Sequence, residues 1–140
     1  MDIRKDRFMR NFTLFILCII FIACERSSLK RAENVLNFPL NNSVCFLQKY
    51  EYWNEFNGNG FRIEVYNILD MNYIRNMSEK SHLKSFNCNK KNDELRNSEY
   101  SKFINNGAGF YKTIWKDDNI ETVVIDTLNK KFLFYYITVR

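Results

Sequence analysis

Alternation with a period of two marks most of the chain. Val44–Trp53 (VCFLQKYEYW) is rich in aromatic and β-branched residues, with Lys49 and Glu51 set between Tyr50 and Tyr52, and this predicts a strand. Asn57-Gly58-Asn59-Gly60 follows, a doubled Asn-Gly whose residues tolerate the positive φ of a tight turn. Phe61–Leu69 (FRIEVYNIL) then sets Phe61, Ile63, Val65 and Leu69 on one side against Arg62, Glu64 and Tyr66 on the other. Together these segments predict a β-hairpin.

Residues 70–106 lose the alternation. Ser78–Phe86 could form a short helix presenting Leu83 and Phe86. Asn92 is suited to cap a second helix, Asp93–Ile104, with Asp93 and Glu94 at the positive end of its dipole and Leu95, Tyr100, Phe103 and Ile104 as its apolar stripe. Asn105-Asn106-Gly107 is a suitable stop. Period two then returns in Phe110–Lys116, Ile120–Thr127 and Lys131–Arg140, with turns at Asp117-Asp118-Asn119 and Leu128-Asn129-Lys130. The last of these strands is apolar on both faces, which suits the middle of a sheet and not a bare edge. The pattern predicts an α+β fold: an antiparallel sheet of about five strands in the order ββ-α(α)-βββ, with one or two helices packed on one face.

The N-terminal pattern is of a different kind. Residues 1–11 carry Arg4, Lys5, Arg7 and Arg10 against Asp2 and Asp6, and Phe12–Ala23 (FTLFILCIIFIA) is an uncharged run broken by Thr13. Twelve residues of helix span about 18 Å, short of the roughly 30 Å hydrocarbon core, so the run reads as a signal-peptide core and not a membrane span. It ends in Phe21-Ile22-Ala23-Cys24, followed by Glu25-Arg26-Ser27-Ser28. This resembles the lipobox of bacterial lipoproteins, where a small residue precedes the cysteine that is lipidated and becomes the new N-terminus. The resemblance covers residues 1–24 only. It implies a signal peptide over 1–23, cleavage after Ala23 and a lipid anchor on Cys24; Phe21 departs from the aliphatic residue usual three positions before the cysteine. Residues 24–43 then read as the acylated Cys and a polar tether, though a short helix over Leu29–Leu36 capped by Ser28 also fits, and residues 44–140 as a single globular domain. The place implied is the cell envelope, with the membrane as a partner through the anchor.

Composition narrows the function classes. The 140 residues are 46% hydrophobic and 16% aromatic, with one Pro and four Gly, which excludes a disordered or collagen-like chain. The formal charge is +5. Cleavage before Cys24 would remove four cations and two anions, leaving 17 Lys and Arg against 14 Asp and Glu. A residual +3, scattered along the chain, gives no basis for nucleic-acid binding.

Candidate chemistry is sparse. His82 is the single histidine and has no metal-ligand spacing around it, and no GxSxG elbow accompanies it, so neither a metal site nor a catalytic triad is expected. Glu121 and Asp126 fall on opposite faces of one strand, and with Asp117, Asp118, Glu51, Glu55 and Glu64 they read as solvated charges in preference to a glycosidase-like pair. Gly58-Asn59-Gly60 and Gly107-Ala108-Gly109 lead into strands, whereas a phosphate cradle leads into a helix. No cofactor is expected. Cys45 and Cys88 are an even pair that could form a disulfide in an oxidising compartment. The aromatic residues exceed what one face of a small core needs, and Tyr52, Trp53, Tyr66 and Trp115 are candidate contact residues for a partner. The favoured function is therefore non-catalytic: binding, inhibition or immunity-like shielding of an envelope or secreted protein. A small-ligand or carboxylate-based hydrolytic domain, or a structural envelope component, is the alternative.

Overall fold

The computed structural model describes residues 28–89, Leu95 and 101–139. The signal segment and Cys24, and most of the helix expected over Asp93–Ile104, lie outside these residues. The chain divides into two units, Met1–Arg31 and Ala32–Arg140.

Helix α1 spans 28–36. Ala32, Val35 and Leu36, at helical spacing, are buried, as are Phe38 and Leu40 just beyond it. Asn37 ends the helix in the left-handed conformation (φ 62°), its amide donating to Glu33 O at 2.8 Å. The Glu33 carboxylate accepts from Leu40 N at 2.9 Å and so folds the exit back on itself. Of the two readings of this stretch, the helix is the one observed, and its apolar stripe is the reason.

Six strands follow among the described residues: β1 Val44–Trp53, β2 Gly60–Ile68, β3 Lys84–Asn87, β4 Ala108–Lys116, β5 Asn119–Asp126 and β6 Lys131–Thr138. Helix α2, Met71–Lys80, lies between β2 and β3, and a 3-10 turn, Ser101–Phe103, precedes β4. The sheet order is β1-β2-β6-β5-β4-β3, every neighbouring pair antiparallel. The α+β class and the antiparallel sheet are as the alternation predicts, and the doubly apolar β6 is central.

The strand count and the element between the two strand groups are corrected. Sequence signals favour a helix over Ser78–Phe86, but the helix starts earlier, where Asp70 caps it by accepting from Tyr73 N at 2.9 Å. It stops at Lys80, and exposed His82 takes a left-handed turn (φ 51°). Lys84–Asn87 then pairs with Tyr111–Ala108, closing the outer edge of β4 with a sixth strand.

One face of the sheet carries the apolar cluster Ile63, Val65, Tyr111, Val124, Leu133 and Tyr135, closed by Phe86, Leu95 and Ile104. The opposite face also has its core. Tyr66, Ile68, Val123, Ile125, Phe132 and Phe134 are buried there, and Ala32, Val35, Leu36, Phe38, Leu40 and Ile74 are buried apolar residues that take no part in the first cluster.

Candidate interaction surface

Burial is uneven across the sheet. The central strands β5 and β6 are buried almost throughout, whereas β1 is exposed on both faces, with only Val44 and Gln48 half-buried. Among the described residues strand β1 is also an edge, with no strand beside one row of its backbone N–H and C=O groups. Phe46, Leu47, Tyr50, Tyr52 and Trp53 are all exposed along it. The register shifts between Phe46 and Gln48, a bulge that leaves Leu47 outside the regular ladder. The alternation predicts the strand, but it cannot show that the strand lies at an edge, so Phe46 and Leu47 do not stand out in the sequence.

On the face of the first core, one cross-strand row runs through five strands: Tyr52, Phe61, Ile137, Ile120 and Trp115 are directly opposed in turn. Its middle members are half-buried, while Tyr52 is 60% and Trp115 76% exposed. The neighbouring Tyr50 packs against Phe103, ring centroids 4.8 Å apart and tilted by 46°, with Lys102 Nζ 5.9 Å from the Tyr50 ring, so the 3-10 turn reaches the row beside it.

The other face is polar at the same end. Glu51 accepts from Arg62 Nε at 3.1 Å and pairs with Lys49 Nζ at 3.1 Å, and Arg62 Nη1 lies 3.8 Å from Glu64 Oε1. Lys49 foremost, with Arg62 beside it, holds the Glu51 carboxyl below its ordinary range. Glu64 is buried and accepts from Tyr66 OH at 2.7 Å. Tyr136 and Thr138 both donate to Asn119 Oδ1, at 3.0 and 2.9 Å. Trp53 lies beside Tyr136, ring centroids 6.1 Å apart.

Several expected site residues take other places. Tyr66 is not a contact residue: it is buried, edge-on to Phe46 and Phe132 at 5.6 Å each. Glu121 and Asp126 do face opposite ways, but both are buried, as is Glu64, so they are not solvated charges. Asp126 is consumed by backbone amides, those of Leu128 and Asn129 in the turn that follows it and that of Ala108 at the start of β4. Cys45 and Cys88 are thiols, one on β1 and the other just after β3, at opposite edges of the sheet. Tyr52, Trp53 and Trp115 are exposed as expected, and the structure adds Phe56 on the β1–β2 loop, which is fully exposed (101%).

Among the described residues no group of three or more His, Cys, Asp and Glu is placed to hold a metal ion, and every buried side-chain N or O has a hydrogen-bond partner. An open, polar hollow of about 300 Å³ is lined by Cys88, Ser101, Lys102, Asn105 and Asn106. Among the described residues no helix is long and apolar enough to cross a membrane. No family model, curated protein or solved structure matches this chain.

Proposed function

We propose that this chain is a small envelope lipoprotein, acylated at Cys24, whose α+β body binds and shields a protein partner without catalysis. In this reading the buried apolar residues of α1 and α2 cover the sheet face of Phe132 and Phe134, and edge strand β1 is left for the partner. The observation that carries this reading is β1 itself. An edge strand that displays Phe46, Leu47, Tyr50, Tyr52 and Trp53 to water has both ingredients of strand addition: unpaired backbone for affinity and alternating side chains for specificity. Strands of this kind are normally blunted, and the Phe46–Gln48 bulge and Lys49 are devices that limit promiscuous pairing without closing the edge. The signal-like N-terminus supports the envelope location, and the mild residual charge supports a partner other than nucleic acid.

The test is capture from envelope extracts with the full acylated chain as bait, beside a Tyr50→Lys/Tyr52→Lys variant. Both positions are exposed, so the variant is expected to fold. A specific envelope or secreted protein retained by the parent and lost from the variant supports the reading. Equal retention by both moves the contact off β1, and turnover of a glycoside or peptide substrate by the purified chain removes the non-catalytic claim.

A further inference from the structure

Strand β1 carries a charge pattern that is complementary to itself. Beyond the bulge its regular part runs from Gln48 to Trp53. Lys49 and Glu51 share one face of it, and Tyr50 between them takes the other. The neighbours on β2 continue the pattern: Lys49 is opposed by Glu64 and Glu51 by Arg62, so both rows change sign from β2 to β1. Lys49 and Glu51 are exposed, and among the described residues no strand lies beyond them.

Two copies of β1 laid edge to edge in antiparallel fashion are related by a two-fold axis normal to the sheet. They present the same face, and one residue opposes its own counterpart at the axis. The choice of that residue is limited. An axis at Lys49 sets Lys49 against Lys49, and one at Glu51 sets Glu51 against Glu51. An axis at Gln48 carries the pairing across the bulge, and one at Tyr52 leaves only Glu51–Trp53 paired within the regular part. With the axis at Tyr50, Lys49 of each copy faces Glu51 of the other, and Gln48 faces Tyr52. Each charged row then runs Arg62, Glu51, Lys49, Glu64 across the two copies and alternates in sign throughout. Opposite charges directly across a strand pair favour it and like charges oppose it, so the pattern selects this one register.

We propose that β1 pairs with β1 of a second copy of this chain in this register, joining the two sheets into one around Tyr50. The proposal rests on the reading of β1 as an edge open to strand addition, and it names an occupant for that edge. Main-chain hydrogen bonds between the two edges supply affinity, and the two Lys49–Glu51 pairs fix the register. The pairing also removes an exposed edge that would otherwise invite indiscriminate strand addition. A different protein that adds to β1 displaces the second copy, so the homodimer is the resting form of the same surface. The N-terminal segment takes no part in the contact.

The test uses two full chains carrying different tags, co-expressed, with one retrieved on its tag and the other measured beside it. The parent pair is expected to be recovered together. Lys49→Glu in both copies sets Glu against Glu, and Glu51→Lys in both sets Lys against Lys; each is expected to cut co-recovery about tenfold. Lys49→Glu in one copy and Glu51→Lys in the other restore two opposite pairs, and co-recovery is expected to return to within about twofold of the parent. Both positions are exposed, so the variants retain the fold, and rescue in the mixed pair excludes misfolding as the cause of the losses. Absence of co-recovery in the parent, equal co-recovery in all four pairings, or a mixed pair that is not rescued overturns the second copy. Capture of an envelope protein through Tyr50 and Tyr52 without co-recovery of the two copies leaves the edge to a different partner, and the homodimer falls. Charge-rescued co-recovery with no other protein captured leaves the homodimer standing, and the different partner falls.

Discussion

Asp126 grips Asn129 twice: its Oδ1 accepts the Asn129 amide at 3.0 Å and its Oδ2 accepts Asn129 Nδ2 at 2.8 Å. The same Oδ1 accepts Leu128 N at 3.1 Å and Ala108 N at 3.3 Å. One fully buried carboxylate therefore holds the β5–β6 turn and the first residue of β4. Asp126→Ala leaves these donors without their acceptor and is expected to cost about 2–4 kcal/mol in urea unfolding. Asp126→Asn keeps an oxygen for the amides and is expected to cost about half as much. Equal, negligible losses in both variants would show that the turn stands without the carboxylate.

Gly60 is expected to be intolerant of a side chain. A Cβ there would lie 2.2 Å from Tyr52 O and 2.5 Å from Trp53 Cε3, and the first of these is backbone. Gly60→Ala must therefore shift the β1–β2 pairing, and the Trp53 ring with it. The expected cost is about 1–3 kcal/mol, with a change in Trp emission in the native state. An unaltered spectrum and unfolding midpoint would contradict the close seating of Trp53.

How much of this was legible in the sequence differs from element to element. Five strands and the antiparallel sheet follow from alternation because side chains at i and i+2 must share a face, and the placing of β6 at the centre follows from its two apolar faces. Strand β3 was not legible. Lys84–Asn87 is too short to show a period, and it is a strand only because β4 offers it an edge. The sequence also could not show that Glu64 and Tyr66 are buried. Their alternation with Ile63 and Val65 reads as a wet face, and it is covered because the sheet has a core on both sides. Of the exposed aromatic side chains, Tyr52, Trp53 and Trp115 were legible as aromatic excess. Phe56 had a signal too, an apolar residue amid turn-forming Asn and Gly.

Glu51 makes the stability of the β1–β2 ribbon pH-dependent. Its folded carboxyl is held below the ordinary glutamate value by Lys49 first and Arg62 next, so the folded state favours the ionised form. The stabilisation is complete above the unfolded value of about 4.3 and is lost as pH falls through the lower folded value. Because Glu51 is solvent-exposed, the effect is small. Glu51→Gln is expected to flatten the acid side of a stability–pH profile slightly, and an unchanged profile below pH 4.3 would show that the ion pairs contribute nothing.

A bond between Cys45 and Cys88 is incompatible with the strand order. The strands that place them, β1 and β3, are separated by β2, β6, β5 and β4. Five inter-strand spacings of about 4.8 Å put them roughly 24 Å apart, whereas a disulfide requires Cα atoms within about 7 Å. Cys88 is half-buried against the first core cluster and Cys45 is exposed, so oxidants reach the second far more readily. Non-reducing peptide mapping is therefore expected to recover no Cys45–Cys88 bridge, even from protein taken out of an oxidising compartment, and reductant is expected to leave the unfolding midpoint unchanged. Cys45→Ser is expected to be neutral and Cys88→Ser to cost about 1 kcal/mol through lost apolar packing. A bridged peptide would require β1 and β3 to lie side by side and would overturn the sheet order that makes β1 an edge.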